Sequence, residues 1–279
     1  MKRAFSKGFT AKGFTTAALV ITLATTMAAV AAAQVAPPKS VVNAGKITYG
    51  VAATFAPFEY MQDGKLVGLD IEMLEAVAKS MGLGAEAMNM EFKGLIPALQ
   101  SKRIDIINSA MYIRPEREEQ VDFVPYLIVG NEIVVQVKNP KGIKAREDMC
   151  GAKIAVTLGG FQEKLAREDD ENCQKAGKAR VEVMTFPTAQ DAALALKNGR
   201  ADAIYNSTPG AYKQVQELPG DFAIAGKTFG PFAKIGVAVR KGDADMKDAV
   251  ANALGAIKKA GVLDQLLKKY GMPADAKLD

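Results

Sequence analysis

Ile104-Asp105-Ile106-Ile107-Asn108-Ser109-Ala110-Met111-Tyr112-Ile113-Arg114-Pro115-Glu116-Arg117 is the stretch on which the reading of the whole chain turns. The apolar run 104–107 has the length and β-branching of a strand buried on both faces. Hydrogen-bonding side chains follow where that strand runs out: Asn108, Ser109 and Tyr112. Pro115 suits the first turn of a helix, and Arg117 lies in that turn. Ligands of open α/β sheets bind beyond the carboxyl ends of the strands. Polar groups and a guanidinium at such an exit therefore point to a binding site. A strand, a polar loop and a solvated arginine would satisfy the same residues, and this stretch alone leaves both readings open.

Outward from it, the pattern repeats. Upstream, 46–51 reads as a first strand, 52–60 as a loop carrying Phe55, Pro57 and Phe58, and Asp63-Gly64 as a turn. The spacing of Ile71, Leu74, Val77, Ala78 and Met81 predicts a helix over 69–81, stopped by Gly82. A further helix is expected after Gly94, with Leu95, Ile96 and Leu99 inward. Downstream, strands are expected at 131–137, 153–156, 181–185, 201–205 and 235–239. Helices are expected at 162–172, from a cap at Thr188 to 197, after Ser207 and Pro209, at 245–259 and at 263–270. Strands alternating with helices at this spacing indicate α/β units with mostly parallel sheets. Arg103-Ile104-Asp105-Ile106-Ile107-Asn108-Ser109 also has an echo in Arg200-Ala201-Asp202-Ala203-Ile204-Tyr205-Asn206-Ser207. Each unit is a basic turn, a strand with an early Asp and a polar exit, which suggests two lobes of one architecture.

Lys2, Arg3, Lys7 and Lys12 precede an apolar run at 17–30, and Ala31-Ala32-Ala33 follows. A basic start, an apolar middle and small residues at the end make a secretory signal peptide, cleaved near Ala33. The run falls short of the roughly 20 residues that span a bilayer. Those four cations belong to 36 Lys and Arg set against 31 Asp and Glu. Without them the balance falls from +5 to +1, and nothing argues for nucleic acid as a partner. What remains of the 279 residues suffices for one large domain or two modest ones. Cys150 and Cys173, the two cysteines of an exported chain, are expected to form a disulfide. With no histidine, no metal site and no cofactor is expected.

Several further segments carry a resemblance to a known family. They are Gly50-Val51-Ala52-Ala53-Thr54-Phe55-Ala56-Pro57-Phe58-Glu59, Gly68-Leu69-Asp70-Ile71 and Phe92-Lys93-Gly94-Leu95-Ile96-Pro97-Ala98-Leu99. The stretch up to Arg117 and Gly236-Val237-Ala238-Val239-Arg240-Lys241-Gly242-Asp243 complete the set. In that order they resemble the periplasmic solute-binding proteins of polar amino acid ABC transporters, family 3, over nearly all of 46–272. The resemblance implies an α/β fold of two Rossmann-like lobes joined by a two-segment hinge, the type II periplasmic binding fold. The first lobe would comprise 46–129 plus 231–270, the second 132–226, with the crossings near 129–131 and 225–230. It implies a periplasmic, monomeric protein that closes on a small carboxylate, an amino acid or a derivative, and presents it to ABC permease membrane subunits.

Residue by residue, the match makes Arg117 the carboxylate anchor, a role suited to a planar guanidinium. Phe55 and Phe92 match rings that sandwich the ligand, and Ser109 and the backbone at Ala110 match ligand-facing donors. Gly159-Gly160 before a helix would offer N–H groups to an anion. Four positions depart from the pattern. Ala52 and Ser207 stand where many members have acids that hold the α-ammonium. Tyr112 replaces a small hydroxyl residue, and Phe161 a threonine. The carboxylate clamp is kept and the ammonium clamp lost, which favours a modified amino acid or another carboxylate with an apolar body. Two other roles stay open on the same fold. One is a periplasmic ligand sensor; the other is a secreted enzyme similar to cyclohexadienyl dehydratases, for which Glu59, expected at the rim, is the nearest acid.

Overall fold

The computed structural model describes residues 35–273 and 276–278; the segment read as a signal peptide lies outside them. In chain order the first elements are β1 (Lys46–Val51), β2 (Thr54–Phe55), β3 (Glu59–Gln62), β4 (Lys65–Val67), α1 (Leu69–Ser80) and β5 (Gly84–Asn89). Then come a 3-10 turn (Phe92–Gly94), α2 (Leu95–Gln100), β6 (Ile106–Ile107), α3 (Pro115–Glu118) and β7 (Val121–Gln136). A second 3-10 turn (Arg146–Met149) leads to β8 (Lys153–Thr157), α4 (Phe161–Lys175), β9 (Glu182–Phe186), α5 (Ala189–Lys197) and β10 (Ala203–Ser207). The chain ends with α6 (Thr208–Glu217), β11 (Phe222–Arg240), α7 (Ala244–Lys259) and α8 (Val262–Lys269). No helix among the described residues is long and apolar enough to cross a membrane.

Eight strands form one sheet in the order β5-β1-β6-β11-β7-β10-β8-β9, and β2, β3 and β4 make a small antiparallel sheet beside it. The outer strands pair in parallel on each side, β5-β1-β6 and β10-β8-β9. Helices α1, α2, α7 and α8 cover the first side, α4, α5 and α6 the second. The expected strands at 131–137 and 235–239 prove to be parts of β7 and β11, which pair antiparallel along nearly their whole length. Sequence patterning shortened them because alternation is lost where a strand passes from one lobe to the other. Their ladder breaks register on both sides of the Phe229–Asn131 pair, between Ala225 and Ala233. Gly226 and Gly230 lie there at φ of +76° and +75°, a region glycine enters freely. The crossings expected near 129–131 and 225–230 thus fall inside these two strands.

Strand β5 escaped sequence reading because its sequence, GAEAMN, has no β-branched residue; it forms by adding to the edge of β1. The helical expectations correspond to the observed helices within a few residues. Thr188 caps α5 by accepting the Asp191 N–H at 3.1 Å, and Ser207 caps α6 by accepting the Gly210 N–H at 3.2 Å.

The repeated Asp has a physical reason. Asp105 accepts the Thr48 N–H at 2.8 Å while its own N–H reaches the Thr48 carbonyl. Asp202 does the same with Lys153, its carboxylate accepting at 2.8 Å. In each lobe the acid before the central strand fastens the neighbouring parallel strand, so the echo is a shared device of construction. Cys150 and Cys173 are disulfide-bonded, with Cα atoms 5.5 Å apart, tying the second 3-10 turn to α4.

Candidate functional site

The exit of β6 builds the floor of a cleft. Gly68, at φ +136°, has no room for a Cβ, which would meet the Phe58 carbonyl oxygen at 2.0 Å. That close approach lets the Pro57 and Phe58 carbonyls accept the Leu69 and Asp70 N–H groups of α1, satisfying donors a helix start leaves free. Asp70 and Glu59 are thereby brought together, both fully buried. The Asp70 carboxylate accepts from the Ala110 N–H at 2.7 Å and the Tyr126 hydroxyl at 2.6 Å. The first of these bonds holds Ala110 at φ 38°. Ser109 accepts the Ala52 N–H and donates to Glu59 Oε1, both at 3.0 Å.

Glu59 Oε2 and Asp70 Oδ1 have no hydrogen-bond partner, and the two carboxyls act on each other's ionisation. Burial, and then the neighbouring Asp70 charge, push the Glu59 carboxyl well above its usual range. Burial raises Asp70 to about 6, opposed by the bonds from Tyr126 and Ala110. Glu59 is therefore part of the floor rather than the rim, in surroundings that favour its neutral form.

Arg117 stands behind this floor, 4% exposed. Its Nη1 donates to the Tyr112 carbonyl at 2.7 Å and its Nη2 to the Gly159 carbonyl at 2.8 Å. The guanidinium carbon is 5.2 Å from the centre of the Phe92 ring. Burial, then the Arg114 charge, lower its pKa to about 9, so it remains a cation at neutral pH. Both its bonds go to neutral carbonyls, and among the described residues it makes no ion pair; Arg114 instead faces Glu116 at 3.4 Å. Positive charge is thus held out of water without an anion against it.

The second lobe supplies the facing wall from the β8–α4 turn. Gly159 takes φ +78°, and its N–H donates to Glu163 Oε2 at 2.7 Å. The Gly160 N–H donates to the Thr157 carbonyl at 3.0 Å. Both glycine N–H groups expected for an anion are therefore engaged within the turn. Phe161, the first residue of α4, stacks on Tyr112 with centroids 4.6 Å apart and planes 10° apart. Gln162 Nε2 donates to Asn131 Oδ1 at 3.0 Å and to the Tyr112 hydroxyl at 3.3 Å. Tyr112 thus meets the opposite lobe through its ring and its hydroxyl, while its carbonyl holds Arg117.

Six of the residues singled out by sequence, Phe55, Phe92, Ala110, Tyr112, Gly160 and Phe161, line one cavity of about 40 Å³ together with Ala52 and Glu59. Arg117 lies beside it through Tyr112 and Phe92. Ser109 and Ser207 are buried and bonded within their own lobes, Ser109 as a floor strut and Ser207 as the α6 cap. Sequence reading missed Gln162, Thr54, Thr157 and Ala189. The first two gave a usable signal, as polar residues directly beside Phe161 and Phe55. A second chamber of about 190 Å³ shares Thr54, Phe55, Thr157, Gln162 and Ala189 with the first.

With the geometry in place, comparisons with known proteins identify the lineage. The model of bacterial extracellular solute-binding proteins, family 3, matches residues 47–273. The L-cystine-binding protein TcyJ of Escherichia coli (strain K12) is 32% identical over 228 residues, covering 81% of this chain and 82% of that protein. The structure of an ancestral arginine-binding protein bound to arginine is 38% identical with a TM-score of 0.74, covering 81% of this chain and 98% of that one. That of the ancestral amino acid-binding protein AncCDT-1, a precursor of cyclohexadienyl dehydratase, is 33% identical with a TM-score of 0.73, covering 81% and 95%. The chain belongs to the bacterial extracellular solute-binding proteins, family 3.

Proposed function

We propose that this protein is the solute-binding component of an amino acid ABC importer. It captures an amino acid or amino-acid-like carboxylate between its lobes, 46–129 plus 231–270 and 132–226, and delivers it to a membrane permease from the periplasm. The buried Arg117 guanidinium without a counter-anion carries the reading: a carboxylate entering the cleft would exchange two carbonyl bonds for a bidentate, charge-assisted pair. The cystine-binding and arginine-binding proteins among its relatives support an amino-acid-type ligand.

No acid stands at Ala52 or Ser207, and burial and then Asp70 push the Glu59 carboxyl well above its usual range. An α-ammonium would therefore meet a large desolvation cost, so small amino acids such as glycine and alanine should bind weakly. Ligands with a larger apolar body should bind better. A dehydratase activity would need an acid free to act in the cavity, and Glu59 is fully buried with its Oε1 bonded to Ser109; the chain is read as a binding protein and not an enzyme.

Calorimetry with amino acids, N-substituted amino acids and their methyl esters tests this. The acids should bind and the esters should not. Arg117→Ala should lose roughly 2–5 kcal/mol of binding, the scale of truncating a buried charge partner, and Arg117→Lys should also bind poorly, lacking the planar fork. An ester that binds as tightly as its acid removes Arg117 from the role of anchor.

A further inference from the structure

The cavity under the four aromatic rings is too small to take an amino acid whole, but it is not the end of the cleft. Beyond Phe55 and Gln162 the chamber of about 190 Å³ continues into the second lobe, between α5 and α6. Its room comes from sequence. Ala189, Ala192 and Ala193 fall at i, i+3 and i+4 on α5 and present methyl groups to it. Gly210 on α6 faces the Ala56 carbonyl so closely that a Cβ would lie 3.1 Å from its oxygen. The segment carrying Thr54 to Ala56 thus forms the near wall, contributed by the other lobe.

The far wall is polar and its hydrogen bonds do not close. The Ser207 N–H donates to Asn206 Oδ1 at 2.8 Å, which fixes the orientation of that amide. Asn206 Nδ2 must then donate to Gln214 Oε1, at 3.2 Å. Gln214 is in turn fixed, and its Nε2 is left buried with no partner, an arrangement that costs stability unless an acceptor arrives. Gln214 lines the chamber. Lys213 beside it is paired with Glu217 at 2.6 Å and lies 5.1 Å from the Tyr60 ring of the first lobe. The charged pair is balanced, so the unmet demand is for a hydrogen-bond acceptor.

We propose that the chamber between α5 and α6 is a second anchoring subsite, so that the ligand is an elongated amino-acid-type carboxylate whose far end carries an acceptor oxygen for Gln214 Nε2. This rests on the reading of Arg117 as the anchor of the near end. A carboxylate and an amide carbonyl share the required chemistry. The alanine-lined walls accept the methylene chain between the two ends, and Phe55 stands at the junction of the two spaces.

Calorimetry with L-norleucine, L-α-aminoadipate, L-homoglutamine and L-α-aminosuberate tests the proposal; the middle two distinguish a carboxylate from an amide at matched length. In the wild type at least one acceptor-ended ligand should bind about tenfold tighter than L-norleucine, the scale of satisfying a buried donor. Gln214→Leu should abolish that advantage while leaving L-norleucine within about twofold, since the chamber's size is kept. Ala193→Phe, which fills the chamber from a half-buried position on α5, should weaken the longer ligands most while the melting temperature holds. Equal binding of all four acids by the wild type, or equal weakening of L-norleucine by Gln214→Leu, overturns the subsite and leaves the Arg117 reading standing. Methyl esters that bind as well as their acids overturn the Arg117 reading instead. If none of the acids binds, either free or N-acetylated, both fall.

Discussion

Glu59 and Asp70 form a carboxyl pair with no cation beside it among the described residues. The groups around it are Tyr49 from β1, Ser109 and Ala110 from the β6 exit and Tyr126 from β7, and the tyrosines are themselves pushed up by burial and by these acids. In the unfolded chain the two acids would titrate near their ordinary values of 4.5 and 3.8. In the fold both are raised, Asp70 to about 6 and Glu59 well above its ordinary value. The native state therefore holds more protons than the unfolded one across that window. The contribution is fully present below the unfolded values and is lost as pH rises through the folded ones. Glu59→Gln keeps an oxygen for Ser109 and places an N–H toward Asp70, copying the protonated acid. We expect wild-type melting temperature to fall as pH rises from the unfolded values through about 6 and beyond, and the variant to fall distinctly less and to match or exceed the wild type at the upper end. Parallel profiles for the two proteins would show that the pair holds no shared proton.

The helix α4 joins three functions in fifteen residues. Its first residue, Phe161, makes the stack with Tyr112. Its middle pairs Asp169 with Arg146 at 2.6 Å and with the Tyr205 hydroxyl at 2.6 Å, and Cys173 near its end is tied to Cys150. The two cysteines are 23 positions apart, and a closed loop of that size is worth about 3 kcal/mol in the chain-entropy model. Reduction, or the double variant Cys150→Ser with Cys173→Ser, should lower unfolding free energy by about that amount in denaturant titration. Ligand affinity should change little, because the bond lies at the far end of the helix from Phe161. A native protein with two titratable thiols would remove the bond from the account.

Among the described residues, the contacts between the lobes that close the cleft include Arg117 to the Gly159 carbonyl, Gln162 to Tyr112, Lys164 to Glu116 at 3.5 Å, the Tyr112–Phe161 stack and Lys213 over Tyr60. A cavity of about 40 Å³ admits a ligand only if these part, and the broken ladder between Ala225 and Ala233 is where β7 and β11 can bend. An aromatic pair is worth roughly 0.5–1.5 kcal/mol beyond its burial, so Phe161→Ala should shift the free protein toward open forms about two- to tenfold. Small-angle scattering should then give a larger radius of gyration for the free variant than for the free wild type. No difference between them would place the closing energy elsewhere.

The alternation of strands and helices, the caps at Thr188 and Ser207, the disulfide and the paired Asp105 and Asp202 were legible in the amino-acid sequence. Each depends on residues close in the chain or on a residue type with one strong preference. The family segments likewise made Phe55, Phe92 and Tyr112 candidates before any coordinates. The long strands β7 and β11 were not legible, since what extends them beyond 131–137 and 235–239 is their pairing with each other, from distant parts of the chain. Nor was Glu59 as a buried acid of raised pKa, because its state is set by burial and by Asp70, brought against it only when α1 docks on the Pro57 and Phe58 carbonyls. Residue types fixed which groups were available to the cleft. Burial and contacts across the chain decided which keep their charge, which are spent as struts, and that Gln214 is left with a donor to offer.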